Sequence, residues 1–410
     1  MIPRVSRRVV VTGAGVVASI GTGVQAFWDA LARGASGATT VEVEGVPPAV
    51  AFAVPELDAE ERFGRREARR MDRDGQLAGV AALLALEESG ELGLPAARVG
   101  VAVGNAHGGM ATMDAAYRAL HERGPDRVSP FAVPLALPNA PAATVARVLG
   151  LHGPSSAVCT ACAAGSDAIG LAYLAIRDGR ADAMLAGGAE APLSAFTFAG
   201  YGQLGALARG DGPPESRSRP FDRARNGFVM GEGAGILVLE EREHALQRGA
   251  TVLAELAGYG ATCDAGHLTD PDPTGEGPAG AIAAALADAG LSPADIGYVN
   301  AHATSTPVGD AAEARTLVRA GLGSVPVSST KGSHGHCLGA AGGIEAVATL
   351  MALVQDRLPP GINLDAPDED DPGLDHVAGT ARPARVDAVL SNSFGFGGHN
   401  AALVFRRHTP

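Results

Sequence analysis

Cysteine is scarce in this chain: four residues in 410. So few cannot build a disulfide framework, and a reducing cytoplasm is the expected compartment. Aromatics make up only 4% of residues against 56 glycines, while hydrophobic content is an ordinary 46%. That balance predicts close packing of backbones rather than a disordered chain. Positive charge is also short, and a net charge of −13 excludes general binding to nucleic acid. No apolar run approaches the roughly 18 residues of a membrane-crossing helix. Met1 to Arg8 is basic and Val9 to Ile20 is mostly apolar, yet Thr12, Gly13, Gly15 and Ser19 interrupt it. No small-residue cleavage pattern follows cleanly, which argues against a secretory signal.

What is present suffices for a large core, as two domain-sized units or as one unit built twice. Short β-rich runs predict strands over Arg8–Thr12, Val99–Val103, Ala183–Ala186, Gly235–Glu240, Tyr298–Asn300, Val325–Ser328 and Ala388–Ser391. Ala/Leu-rich stretches predict helices over Gly23–Arg33, Met71–Ser89, Ala163–Arg177, Glu241–Arg248, Gly280–Ala289, Asp310–Ala320 and Ala340–Gln355. Their alternation implies an α/β fold, with a parallel or mixed sheet and helices on its faces. Gly and Pro clusters at 209–220 and 270–280 predict long surface loops. One echo runs through the chain. Ala163-Ala-Gly165 opens one predicted helix and Ala340-Ala-Gly342 another, about 177 residues later. A duplicated α/β unit would set both helices about a pseudo-twofold axis. Gly13-Ala-Gly15 mimics a dinucleotide fingerprint but lacks a well-placed acid ~20 residues on, so a tight strand-to-helix turn is expected.

The densest chemistry lies at Cys159-Thr-Ala-Cys162-Ala-Ala-Gly165. The segment opens a small-residue helix, which places the Cys162 thiol at a helix N-terminus. Unpaired amides and the helix dipole favour an anion there. The thiol is therefore expected to lose its proton near neutral pH and to act as a nucleophile. Cys159 reads as a small buried apolar residue, with a redox pair to Cys162 as the alternative. Zinc would need a second pair, and Cys263 and Cys337 stand alone, so no metal is expected. Far downstream, Ala301-His302-Ala-Thr304-Ser-Thr306 and Lys331-Gly-Ser-His-Gly-His336 supply imidazoles, hydroxyls and an ammonium. His302 follows a predicted strand, where α/β sheets meet their ligands. Glu345 falls inside an apolar helical stretch and needs a cationic partner there, for which Lys331 is the candidate; a surface ion pair is the alternative. Ser391 to Asn400 sets glycines around Phe394 and Phe396, either as an ordinary turn or as a loop that approaches a ligand. One cysteine with two distant histidines is the outline of acyl-thioester chemistry.

As a set these motifs resemble the β-ketoacyl-ACP synthases, the elongating condensing enzymes, especially the synthase II type and its type II polyketide relatives. The resemblance runs from Val9 to Asn400. It includes Thr160-Ala-Cys162, Arg219-Pro-Phe-Asp222, Asn226 to Gly233, Asn300-Ala-His302, Ser329-Thr-Lys331, Gly335-His336 and Asn392 to Gly398. It implies a thiolase-like fold of duplicated α/β halves in a five-layer α-β-α-β-α arrangement. The halves are expected at 1–255, with the cysteine, and at 256–410, with the histidines, the lysine and the gate loop. The implied reaction is decarboxylative Claisen condensation of malonyl-ACP with an acyl chain on Cys162, giving 3-oxoacyl-ACP. No cofactor is implied beyond the carrier's phosphopantetheine. His302 and His336 would donate hydrogen bonds to the malonyl thioester oxygen as enolate charge develops. The amides of Cys162 and Phe396 would form the oxyanion hole, with Phe396 as the gate. Lys331, tied to Glu345, would set the electrostatics and the histidine geometry. Thr304 and Thr306 would hold the pantetheine arm, Phe394 and Asn400 would support the site, and His107 and Tyr201 would line the acyl pocket.

Several positions depart from the family pattern. His334 and His399 would add polarity near the gate unless their side chains face away, and Gly266 should loosen a neighbouring loop. His107 falls where synthase II enzymes line the far end of the acyl tunnel, beside the dimer interface. A polar ring beside a long saturated chain costs desolvation. A shorter, unsaturated or oxygenated chain is expected, unless interface hydrogen bonds satisfy the ring. The unusual histidines favour a polyketide pathway over fatty-acid elongation. Glu61 to Arg73 carries six arginines against three acids. Arg65, Arg66, Arg69 and Arg70 are thus candidates to dock an acidic acyl carrier protein, with an exposed helix start as the alternative. The resemblance implies a homodimer, or a heterodimer with a chain-length-factor-like subunit. A second reading makes this chain such a non-catalytic subunit; retention of Cys162, His302, Lys331 and His336 argues against it.

Overall fold

The computed structural model describes residues 7–57 and 59–409. Most of the basic start, Met1 to Ser6, lies outside them, and the apolar stretch after it is a buried strand rather than a signal helix. Among the described residues, ten strands make the main sheet path. They are β1 Val9–Ala18, β2 Val99–Gly104, β3 Ser155–Val158, β4 Ala183–Glu190, β5 Gly233–Glu241, β6 Ala254–Cys263, β7 Tyr298–Asn300, β8 Val327–Ser328, β9 Ala388–Gly395 and β10 His399–Arg406. β1 and β4 are buried along their whole length, which is why they read as apolar runs without alternation.

The path runs β8-β7-β9-β10-β6-β1-β5-β4-β2-β3. Read outward from the β1–β6 joint, both sides have the same order: first, fifth, fourth, second and third strand of their set. Direction repeats as well. β2 is parallel to β3 and β4, and β5 is antiparallel to β4 and β1. Likewise β7 is parallel to β8 and β9, and β10 is antiparallel to β9 and β6. β1 and β6 meet through Val9↔Leu256, Val10↔Glu255 and Val11↔Ala254. The second set therefore begins at Ala254, inside a strand the sequence pattern did not disclose.

Helices complete the layers. α1 Arg73–Ser89 covers β1 and β5 from outside, and α2 Glu276–Ala289 covers β6 and β10. Between the two sets lie α3 Ala164–Arg177 and α4 Ala341–Val354, which touch strands of both. The result is the five-layer α-β-α-β-α arrangement of the thiolase-like fold. The Ala-Ala-Gly echo marks the crossing of the two central helices. A Cβ on Gly165 would sit 2.7 Å from the Gly343 nitrogen, and one on Gly342 2.5 Å from the Ser166 nitrogen. Each helix is preceded by a non-glycine residue in the left-handed region, Ala161 (φ 50) and Leu338 (φ 47), again 177 residues apart.

Gly13-Ala-Gly15 is not a turn. It lies inside β1, where a Cβ at Gly13 would be 2.2 Å from the Ala85 carbonyl oxygen and one at Gly15 1.9 Å from that of Ala81. The glycines let α1 press onto the strand. Gly258 and Gly260 of β6 do the same under the Ala285 and Ala281 carbonyls of α2, both at 2.2 Å. The fingerprint-like spacing thus serves helix-on-strand packing, twice. A Gly15→Ala substitution is expected to cost about 1–3 kcal/mol through overpacking. The check is the urea midpoint, and an unchanged midpoint would mean that α1 shifts freely.

Candidate active site

β3 delivers its last residues to a short turn, Ala161–Ala163, and α3 follows. Cys162 sits in that turn, buried, with its sulfur 3.1 Å from His336 Nε2. The Phe396 amide donates to the same sulfur. Residue 395 must be glycine for this to happen, since a Cβ there would lie 2.7 Å from the Thr160 carbonyl oxygen and 3.1 Å from the Cys162 nitrogen. The thiol does not behave as its helix position suggested. Burial pushes it up to about 12, against the downward pull of Lys331 and of the Phe396 amide. Desolvation outweighs the favourable dipoles, so the unloaded site holds a neutral thiol. Cys159 also differs from expectation. It is exposed at the end of the edge strand β3, its sulfur 3.6 Å from the Ala106 carbonyl oxygen, and it is not bonded to Cys162.

The second set of strands brings the other groups. His302 follows β7, and its ring lies 5.4 Å from that of His336, edge to face. Lys331 Nζ is 3.5 Å from His302 Nδ1. An ammonium can only donate, so the His302 ring proton is left on Nε2. Lys331 in turn contacts Glu345, and both side chains are fully buried. Burial raises the Glu345 carboxyl above its ordinary range, and Lys331 pulls it back. Burial, reinforced by Lys331, holds both imidazoles well below their ordinary value, hence neutral. His336 Nδ1 is buried without a hydrogen-bond partner, so the ring is engaged only through Nε2, at the Cys162 sulfur.

Cys162, His302, His336, Thr304, Thr306 and Phe394 line one cavity of about 380 Å³. The Thr304 and Thr306 hydroxyls are 3.1 Å apart, and Thr306 caps helix Pro307–Arg319 by accepting from the Gly309 amide. Phe394 pairs with Asn400 across β9 and β10, and Phe396-Gly397-Gly398 forms the turn between them. Asn400 donates to Asp264 at 2.6 Å, tying that turn to the loop after β6. Of the unusual histidines, His334 faces away: it is buried, with Nε2 2.9 Å from the Thr330 hydroxyl. His399 lines a small cavity with Cys159, Cys162 and Phe396. His107 is satisfied by partners within the chain. Its Nδ1 faces Glu190 at 3.3 Å and its Nε2 the Tyr201 hydroxyl at 3.0 Å.

Three acting residues were not foreseen. Glu313 accepts the His302 and Ala303 amides at 2.9 and 2.6 Å and the Asn392 side chain at 3.1 Å, fixing the histidine loop. Burial raises this carboxyl to about 7. Glu190 anchors the loop at 105–107, and Phe228 packs edge-on against His336 at 5.3 Å. A second echo also went unread: Asn105-Ala-His107 recurs as Asn300-Ala-His302, the first directly after the second strand of its set and the second starting on the last residue of its own. On the surface, Arg65, Arg66 and Arg69 are exposed and, among the described residues, without an ion-pair partner, while Arg70 faces Glu67 at 3.5 Å. Arg73 turns inward to Glu232. No group of three or more His, Cys, Asp or Glu stands ready for a metal ion among the described residues.

Comparison with known proteins agrees with this geometry. Residues 6–245 match the family model of the beta-ketoacyl synthase N-terminal domain, and residues 253–365 that of the C-terminal domain. A 3-oxoacyl-[acyl-carrier-protein] synthase 2 of Synechocystis sp. is 44% identical over 411 residues, 98% of each chain. Among solved structures, the ishigamide ketosynthase/chain length factor superposes with a TM-score of 0.91 at 35% identity, over 98% of this chain and 100% of that one. A type II polyketide acyl carrier protein in complex with its ketosynthase, bound to the hexaketide, gives 0.90 at 34% identity with the same coverage. The chain belongs to the beta-ketoacyl synthase family. It is an acyltransferase, and its reaction is the decarboxylative condensation that yields a 3-oxoacyl thioester.

Proposed function

We propose that Cys162 carries the acyl chain and that His302 and His336 steady the enolate that attacks it. The observation that supports this most is the Cys162 sulfur facing His336 Nε2 at 3.1 Å, with His302 beside it in one cavity. In loading, the sulfur attacks the thioester carbonyl of the incoming acyl carrier. The thiol proton passes to His336 Nε2 and from there to the carrier's sulfur, which leaves as a neutral thiol, so the imidazole ends neutral and charge balances. Both imidazoles are neutral and suit donation to an oxygen better than charge storage. When the malonyl group loses carbon dioxide, the electrons of the breaking C–C bond form the enolate, and N–H donors on its oxygen stabilise it. The enolate carbon attacks the acyl–Cys162 carbonyl. The Cys162 and Phe396 amides face the developing oxyanion, and the thiolate leaves as the new C–C bond is complete. Lys331 fixes the His302 tautomer and is itself held by Glu345. Thr304 and Thr306 take the pantetheine arm, with Phe394 and Asn400 supporting the gate at Phe396.

The partner in this reading is an acyl carrier protein, docked on Arg65, Arg66, Arg69 and Arg70; the carrier-bound ketosynthase structure supports it. β3 ends the sheet with Ser155 and Ser156 exposed, an open edge that suits pairing with a second subunit. That subunit is a second copy or a chain-length-factor-like protein, in line with the ishigamide pair. The units are taken as 1–255 and 256–410; the repeated strand order supports two such units, with the joint at the start of β6, Ala254, rather than inside it. The cytoplasm is the setting, supported by four free cysteines; no helix among the described residues is long and apolar enough to cross a membrane. A non-catalytic role is disfavoured by a complete Cys162, His302, Lys331 and His336 set.

The test is incubation with hexanoyl- and malonyl-carrier protein. The expected products are 3-oxooctanoyl-carrier and carbon dioxide in equal amounts, and absence of both contradicts the reading. Docking has its own check. Charge reversal at Arg65 and Arg69 should raise KM for carrier-borne substrate about tenfold and leave a small acyl thioester unaffected. Equal effects on both substrates would remove the docking role.

A further inference from the structure

Cys162 opens on two cavities, of about 380 and 280 Å³, and Tyr201 and Phe396 line both of them and a third, of about 520 Å³, next to them. An acyl chain that starts at the Cys162 sulfur and fills any of them passes the tyrosine. Its hydroxyl is not idle. It stands 3.0 Å from His107 Nε2, whose other nitrogen stands 3.3 Å from Glu190 Oε1. Glu190 is fully buried and cannot turn away, because its carboxylate also accepts the amides of Ala106, His107 and Gly339 at 2.6, 3.3 and 3.2 Å. A carboxylate fixed in this way keeps a proton on His107 Nδ1 and favours a second on Nε2. Burial alone would lower the histidine, but Glu190 raises it above its ordinary value. With Nε2–H donating to the tyrosine oxygen, the Tyr201 O–H is free to donate into the cavity. Its ring is held edge-on by Phe228 at 5.3 Å. A fully reduced chain offers this donor nothing, and a polar group left facing methylenes is penalised.

We propose that Tyr201, backed by His107 and Glu190, hydrogen-bonds an oxygen on the acyl chain held by Cys162, so that the site takes oxo- or hydroxyacyl groups in preference to fully reduced ones. The proposal rests on the reading of Cys162 as the chain carrier and names its substrate class. His107 and Glu190 are positioning residues that act through the hydroxyl.

The experiment times acyl transfer onto the full chain by intact mass, using hexanoyl-, 3-oxohexanoyl-, 5-oxohexanoyl- and 3-hydroxyhexanoyl-carrier protein at equal, subsaturating concentration. At least one oxygenated group should load about tenfold faster than hexanoyl. In Tyr201→Phe that ratio should fall to about one, and His107→Asn should reduce it. An oxygenated-to-hexanoyl ratio of one or less in the parent overturns the proposal. So does a Tyr201→Phe variant in which all groups slow in proportion and the ratio survives. If no group loads at all, the Cys162 reading itself fails, and this proposal with it.

Discussion

A Lys331→Ala variant extends acyl chains at least about a hundredfold more slowly than the parent and is less stable by about 3–5 kcal/mol. Both effects come from one buried ammonium, through two different contacts. Lys331 and Glu345 have no exposed side-chain surface, so removing the ammonium strands a carboxylate in the core. The stability deficit has a definite pH dependence. Glu345 already titrates above its ordinary value of 4.5 in the folded chain because of burial, and loss of Lys331 raises it further. A carboxyl with a raised folded value destabilises the fold as pH rises through the window above 4.5, and the penalty shrinks as pH falls and it takes a proton. Urea midpoints of parent and variant should therefore converge toward pH 5 and separate toward pH 8. The catalytic loss has a separate origin: without Nζ, nothing holds the His302 proton on Nε2. A Lys331→Met, Glu345→Leu double variant separates the two. It should recover most of the stability and none of the activity. Recovery of activity would show that the pair serves the fold alone.

His302→Ala should split the reaction. Loading onto Cys162 needs the sulfur and His336, and neither depends on His302 for position: the amides that anchor the 302 loop belong to the backbone. Decarboxylation needs donors at the enolate oxygen, and removal of one such donor costs about a hundred- to a thousandfold. Acyl-carrier should thus label the variant at close to the parent rate, while release of carbon dioxide from malonyl-carrier falls by that factor. If loading and decarboxylation fall together, His302 acts on the cysteine rather than on the enolate.

Much of the site was legible because its residues sit in short, unusual strings whose spacing survives any reading of the fold. Glu345 was legible for a physical reason, an acid within an apolar helical stretch. The same rule would have found Glu190, behind Gly187-Gly188-Ala189, and Glu313, among the alanines of its helix. The thiol's protonation was not legible. It depends on how completely Phe396, more than 200 residues away, and its neighbours close over the sulfur. Cys159 was misread because sequence does not show that β3 is an edge strand. Gly13 and Gly15 were misread because close helix contact and a tight turn both demand glycine. The Gly258 and Gly260 pair, which shows the duplication, sits in a strand whose glycines hid it. The duplication surfaced only at Ala-Ala-Gly, where two helices meet backbone to backbone and composition has no freedom.

The central claim is that one buried sulfur carries the chain. The most direct test is peptide mapping after brief exposure to acyl-carrier protein. The acyl mass should fall on the peptide holding Cys162, and a Cys162→Ala variant with an unchanged melting temperature should take up none. Acyl mass on Cys159, Cys263 or Cys337 at the parent rate, or continued chain extension by the variant, would contradict it.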